Sequence, residues 1–203
     1  MKNKRHLQLV IIALLLLMLA SPTALVNSAS EAVGVRVFNQ GDAVSKINNL
    51  ETSKVIDYEN FQWVVLKKSD LSNLDALGNA YQVLENPYTL TLGGETFDPL
   101  LTDPKSSANW GYPPRAIGAG FHLVQFHGPT KGEWLDALNA DGLQAIQYIH
   151  PFTYVVWGEQ SSRDKAAERD FVRWAGDFLP AYALQPLNRT LSDEPIQIPA
   201  MVF

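Results

Sequence analysis

The chain has 203 residues, with 16 lysines and arginines against 21 aspartates and glutamates, and no cysteine. The net charge of −5 argues against nucleic acids and anionic membranes as partners, because both select basic surfaces. The lack of cysteine excludes thiol nucleophiles, zinc–thiolate sites and iron–sulfur clusters held by this chain.

Residues 1–29 have the three regions of a secretory signal peptide. Lys2, Lys4 and Arg5 precede an apolar run over residues 9–20, and small residues follow up to Ala29. The run is shorter than the roughly 20 apolar residues that span a bilayer, so we expect a cleaved signal, with an uncleaved anchor helix as the alternative. The signal holds no acidic residue, so the mature net charge is −8 and a secreted or cell-envelope protein without membrane contact is expected.

Two segments, residues 61–93 and 121–158, align as an internal repeat. Each predicts a strand, a helix, a strand, a tight turn with proline and a further strand, and the turns read Asn-Pro-Tyr-Thr and His-Pro-Phe-Thr. The predicted strands are short and rich in β-branched and aromatic residues. These features predict two related βαββ units, and a strand is also expected over Ala32–Phe38.

The helices of the repeat have recognisable ends. Thr130 and Glu133 form a predicted capping box at the start of the second helix, and Gly142 is a natural stop. In the first segment Ser69 is the predicted N-cap and Gly78 the end of the helix.

The second unit is predicted to extend beyond the repeat. A helix over 162–169 and a strand over 171–176 complete a β-α-β-β-α-β order, which is typical of a ferredoxin-like antiparallel sheet with two helices on one face. The fold class is therefore α+β, with a related βαββ half-unit before the ferredoxin-like unit.

The predicted domain organisation follows from these elements. The last residues, 196–203, resemble the start of a strand, which suggests a fragment or a short member of a longer family. The divisions are a signal peptide (1–29), an N-terminal βαββ-like unit (30–100), a linker (101–116), a ferredoxin-like unit (117–187) and a tail or further strand (188–203).

The sequence predicts no catalytic, cofactor-binding or metal-binding residue. His122 and His127 lie five residues apart on a predicted strand and point to opposite faces, and His150 lies in a proline turn. No serine lies in a Gly-x-Ser-x-Gly nucleophile elbow. We interpret His127-Gly128-Pro129 as a strand-to-helix turn.

Other conspicuous side chains have ordinary expected roles. Tryptophans within predicted elements are expected in the core: Trp63, Trp134, Trp157 and Trp174. Carboxylates near the predicted helix ends are expected on solvated faces: Asp136, Asp141, Glu168 and Asp170.

Several separated blocks carry a family resemblance: residues 121–129 (Phe-His-Leu-Val-Gln-Phe-His-Gly-Pro), 133–135, 148–151, 154–156, 172–176 and 180–182. In this order they resemble the N-terminal region of secreted subtilisin-like serine peptidases, and more narrowly the fervidolysin-type prodomain. The resemblance covers residues 117–187 and extends weakly to 54–100.

The resemblance implies an intramolecular chaperone and inhibitor whose partner, in cis or in trans, is a subtilisin-like catalytic domain. The Asp-Thr/Ser-Gly, His-Gly-Thr and Gly-Thr-Ser motifs of such catalytic domains are absent, so this chain is not expected to be an enzyme. A cell-surface interaction or adhesion module with an exposed aromatic face is the alternative, and an independent enzyme is the weakest hypothesis.

Overall fold

The computed structural model describes residues 32–39, 47, 54–77, 80–102 and 118–183. The predicted signal peptide, the predicted tail and the predicted linker after residue 102 lie outside this part. The helices are a 3₁₀ helix (Lys68–Leu77), α1 (Gly132–Ala140), α2 (Gln160–Ala167) and α3 (Pro180–Ala183). The strands are β1 (Ala32–Phe38), β2 (Lys54–Asp57), β3 (Phe61–Lys67), β4 (Tyr81–Glu85), β5 (Leu90–Leu92), β6 (Glu95–Phe97), β7 (Gly120–Phe126), β8 (Gln144–Ile149), β9 (Thr153–Gly158) and β10 (Val172–Asp177).

The strands form two four-stranded antiparallel sheets and one hairpin, so the α+β class is confirmed. The first sheet has the order β2-β3-β1-β4, and the second has the order β8-β9-β7-β10. If the strands are numbered within each unit, both sheets have the strand order second, third, first, fourth. The strands predicted at Ala32–Phe38 and 171–176 are β1 and β10, and the helix predicted over 162–169 is α2, which begins two residues earlier.

The two sheets correspond in a different register from the repeat aligned in the sequence. Phe61–Lys67 is the third strand of its unit, whereas its aligned counterpart, Gly120–Phe126, is the first strand of its unit. The equivalent segments are therefore residues 32–85 and 120–177. The alignment matched local element order, but strand pairing depends on contacts between residues far apart in the chain, which local patterns do not specify.

The hairpin of β5 and β6 packs on the second sheet. Leu90, Leu92 and Phe97 form a buried cluster with Leu123 and Val155. The sequence placed this segment in the N-terminal unit and its glycine-rich end in an irregular connection. The hairpin instead covers an apolar face of the second sheet. The side chains on one face of the hairpin pack against apolar side chains of that sheet.

The first sheet buries one face of β1 by simple alternation. Three valines at every second position pack against the 3₁₀ helix, and the intervening Gly34 and Arg36 face the other way. The helix predicted from Ser69 is this 3₁₀ helix, and its predicted end at Gly78 lies outside the described residues. The buried cluster comprises Val33, Val35, Val37, Ile47, Val64, Leu66 and Leu74.

Both helices of the second unit lie on one face of its sheet. Leu138 of α1 and Ala166 of α2 pack against Val124 and Val156. The same cluster continues into the first sheet through Ile56, Trp63 and Val65. The two sheets therefore share one apolar core.

The predicted capping box at α1 is wrong, but the predicted end of the helix is confirmed. The N-cap is Lys131, which makes no side-chain cap, and the Thr130 hydroxyl is buried without a partner in the described residues. Helical geometry begins one residue too late for Thr130 to cap it. Gly142 ends the helix with φ of 91°, and Leu143 N–H donates to the Leu138 carbonyl.

Candidate functional site

The turn after β7 joins the two sheets. Trp63 Nε1–H donates to the His127 carbonyl at 3.0 Å, and the Tyr88 hydroxyl donates to the same oxygen at 2.9 Å. A Cβ atom at Gly128 would lie 2.6 Å from the Trp63 ring, and one at Gly34 would lie 2.2 Å from it. The lack of a side chain at these two glycines leaves room for the Trp63 indole. The His127-Gly128-Pro129 turn therefore packs against the first sheet.

A buried polar network holds the hairpin to the second sheet. Arg173 donates to both oxygens of Asp98 at 2.8 and 2.9 Å and to Gln125 Oε1 at 2.7 Å. The guanidinium carbon lies 3.9 Å from the centroid of the Tyr88 ring. Gln125 Nε2 donates to the Tyr88 carbonyl at 3.1 Å. The network therefore connects the end of the hairpin with the turn that meets Trp63.

His127 gives the junction a pH dependence. Burial, followed by the nearby Lys54 and Arg173, lowers the pKa of His127 from 6.5 to about 4. Between these pH values the unfolded chain binds the proton and the folded chain does not, so stability is present above pH 6.5 and is lost as the pH falls towards 4. Because the ring is only partly buried, we expect a loss of about 1–2 kcal/mol.

Urea denaturation of the protein at pH 7 and pH 4.5 measures this loss. A His127→Asn variant keeps the carbonyl that accepts from Trp63 and Tyr88 but cannot titrate. Its unfolding free energy should fall less over the same interval. An equal fall in the variant and the parent protein would assign the acid sensitivity to other groups.

The His122–Asp177 pair has no catalytic geometry. His122 is fully buried, with Nε2 3.1 Å from the Gly158 carbonyl and Nδ1 3.5 Å from Asp177. Arg163 pairs with the same carboxylate. Both ring nitrogens already face acceptors inside the protein, so neither can take a proton from a substrate. His122 therefore serves packing, and His150 lies exposed in the turn where the sequence placed it.

Asp141 is buried, contrary to the expectation of a solvated face. Arg169 donates to it at 2.6 and 2.9 Å, and Lys165 lies 2.8 Å away. The hydrogen bond from Arg169, followed by that from Lys165, lowers the pKa of Asp141 to about 2. The sequence missed this because the cations lie in the last turn of α2 and just after it, and the fold brings this segment against the end of α1. Among the described residues, no group of three or more histidines and carboxylates is arranged to hold a metal ion.

A groove of about 580 Å³ lies between the first sheet and the turn that joins β8 to β9. Arg36 and the edge strand β4 form one wall, and the Pro129–Thr130 segment with aromatic residues forms the other. Its aromatic lining comprises Trp63, Tyr148, Phe152 and Tyr154. The sequence alone did not single out Arg36. The available signal was a lone charge in β1 on the face opposite three valines.

An exposed aromatic patch, Phe121 with Trp157, lies on the face of the second sheet away from α1 and α2. The two side chains are 42% and 41% exposed, and their rings meet edge to face at 4.8 Å. Trp157 was expected in the core, and that expectation is wrong. Its neighbour Val156 packs on the helix side of the sheet, so Trp157 lies on the opposite face. On that face the buried hairpin cluster includes Val155 but not Trp157.

A family model described as a domain of unknown function, DUF8729, matches residues 91–179, which is 89 of the 203 residues. No curated protein and no solved structure matches the chain. The matched segment contains most of the β5–β6 hairpin and all of the second sheet, the parts that pack together. In the described part of the chain, no helix has the length and apolar character needed to cross a membrane.

Proposed function

We propose that the chain is a propeptide-type region of a secreted subtilisin-like serine peptidase, which assists folding of the catalytic domain and inhibits it. The resemblance of residues 117–187 to such prodomains is the first support. The second, and the observation that carries the proposal, is the order β8-β9-β7-β10 with α1 and α2 on one face, which fits a ferredoxin-like prodomain. The matching order of the first sheet suggests a second ferredoxin-like unit.

In this proposal the aromatic patch and the neighbouring edge strand β8 form the surface that binds the peptidase. Exposed aromatic pairs are typical energetic centres of protein interfaces. In the described residues β8 pairs with β9 alone, so its outer edge is open to a strand from the partner. This surface would bind the catalytic domain, and the chain itself would supply no catalytic group.

The test measures inhibition and refolding of a secreted subtilisin-like peptidase by the purified chain. We expect slower hydrolysis of a chromogenic peptide and faster recovery of activity after denaturation. Trp157→Ser and Phe121→Ser should each raise the inhibition constant about tenfold, since loss of an interface aromatic costs about 1–2 kcal/mol. Val55→Ser, at an exposed apolar position on β2, is the matched control.

Two results would contradict this proposal. The first is a chain that changes neither hydrolysis nor refolding. The second is an inhibition constant that rises equally in the Val55 control, because the loss would then reflect general destabilisation rather than the patch.

The alternative, an adhesion module with an aromatic platform, requires several exposed tryptophans on one side. Of the four tryptophans in the described residues, Trp63 and Trp134 are buried, Trp174 is partly buried and Trp157 is exposed. A single exposed tryptophan supports this alternative less than the peptidase proposal.

A further inference from the structure

Arg36 lines the groove. Among the described residues no carboxylate forms an ion pair with it, and its Nε is buried without a hydrogen-bond acceptor. The guanidinium lies over the Phe61 ring, 4.8 Å from the centroid. A buried arginine nitrogen without a hydrogen-bond acceptor lowers the stability of the protein. The position of Arg36 therefore indicates that an acceptor binds there.

A second unsatisfied donor lines the same groove. The Thr130 hydroxyl, on the wall that belongs to the second unit, is also buried without a partner in the described part of the chain. Among the residues that the structure describes, no acidic side chain lines the groove. Two elements far apart in the chain thus each contribute a residue with an unsatisfied donor to the lining of one groove, although the chain as a whole is acidic.

We propose that this groove binds an extended peptide segment of a partner protein through an acidic side chain. The carboxylate pairs with the Arg36 guanidinium and accepts from the Thr130 hydroxyl. Arginine suits this role because its planar fork matches the two oxygens of a carboxylate. The groove volume of about 580 Å³ is within the usual range of ligand sites.

The groove walls favour a peptide over a free anion. One wall is β4, which among the described residues pairs with β1 on one side only, so its other edge can bind a peptide backbone. The other wall carries Tyr148, Phe152 and Tyr154, which offer apolar surface to side chains that flank the acid. A phosphate or acetate ion would pair with the Arg36 guanidinium but would make no contact with the edge of β4 or with the aromatic side chains.

This site is distinct from the aromatic patch. Tyr154 lies near the beginning of β9 on the helix side, whereas Trp157 lies near the end of the strand on the other face. The groove and the aromatic patch can therefore be tested separately, although Tyr148 of β8 lines the groove, and the peptide proposal does not depend on the peptidase proposal.

The test titrates the purified full chain, labelled with ¹⁵N, with a capped pentapeptide, Thr-Val-Glu-Val-Thr, and with its glutamine counterpart. We expect the glutamate peptide to bind at least tenfold more tightly and to shift the amide signals of β4. Arg36→Gln should abolish this preference, and Thr130→Val should reduce it. Lys67→Gln, which removes an exposed charge from β3, should leave it unchanged.

Four outcomes would overturn the proposal. Equal binding of the two peptides to the parent protein does so without reliance on any variant, and so does the absence of binding. Acetate or inorganic phosphate that binds as tightly as the glutamate peptide would show a simple anion site. A preference that persists in folded Arg36→Gln would place the carboxylate elsewhere.

Discussion

Replacement of Trp63 by alanine is expected to lower the free energy of unfolding by about 3–5 kcal/mol. The side chain is almost fully buried where the two sheets meet, and its ring packs edge to face on Phe152 at 5.0 Å. Truncation leaves a cavity in that core. It also removes the donor to the His127 carbonyl, which Tyr88 alone would then satisfy. Urea denaturation followed by circular dichroism measures the loss.

A double-mutant cycle with Gly128→Ala makes this prediction specific. In the parent protein the new methyl group would lie 2.6 Å from the indole and 3.0 Å from Ile56, at an expected cost of about 1–3 kcal/mol. In the Trp63→Ala protein the methyl group gains space, so its cost should fall sharply. Additive losses would contradict the proposed contact. Trp157→Ala is the matched control, because this exposed tryptophan should cost about 1 kcal/mol or less.

Replacement of Arg173 by methionine is expected to cost about 3–5 kcal/mol. The side chains of Arg173 and Asp98 are 9% and 5% exposed, so the variant leaves a buried carboxylate without its counter-charge. Gln125 Oε1 also loses its donor. We expect earlier hydrogen exchange in the β5–β6 hairpin, because Asp98 directly follows the hairpin and ties it to the second sheet.

The exposed pair Lys68–Glu85 is the matched control for this ion pair. Its side chains are 60% and 63% exposed, and Lys68→Met should cost about 0.5 kcal/mol or less. Adding Asp98→Asn to Arg173→Met should recover part of the loss, since the unpaired charge disappears. A similar cost at both pairs would contradict the buried character of the Arg173–Asp98 contact.

The sequence predicted many elements but not their assembly. The strands at β1 and β10 and the end of α1 at Gly142 follow from alternation, side-chain shape and glycine geometry, which act within a few residues. The aligned repeat has the correct order of elements. It assigned Phe61–Lys67 to the wrong place in its sheet, because pairing is decided between segments distant in the chain.

The candidate sites depended still more on tertiary structure. In the sequence, Arg36 is an ordinary strand residue. Only the fold places it and the Pro129–Thr130 segment in the lining of the same groove. The sequence likewise gave no reason to separate Trp63 from Trp157, since both lie in short apolar strands. In the structure, Trp63 is buried where the two sheets meet, whereas Trp157 is exposed because the hairpin cluster does not cover it.

By itself the sequence determined the α+β class, the local elements and the acidic, cysteine-free composition. These depend on backbone preference and side-chain chemistry at each position. Only the tertiary structure decided which faces are covered, which ions are paired and which donors are left facing a groove. Burial and hydrogen-bond satisfaction are properties of contacts between elements, and those contacts exist only once the two sheets pack together.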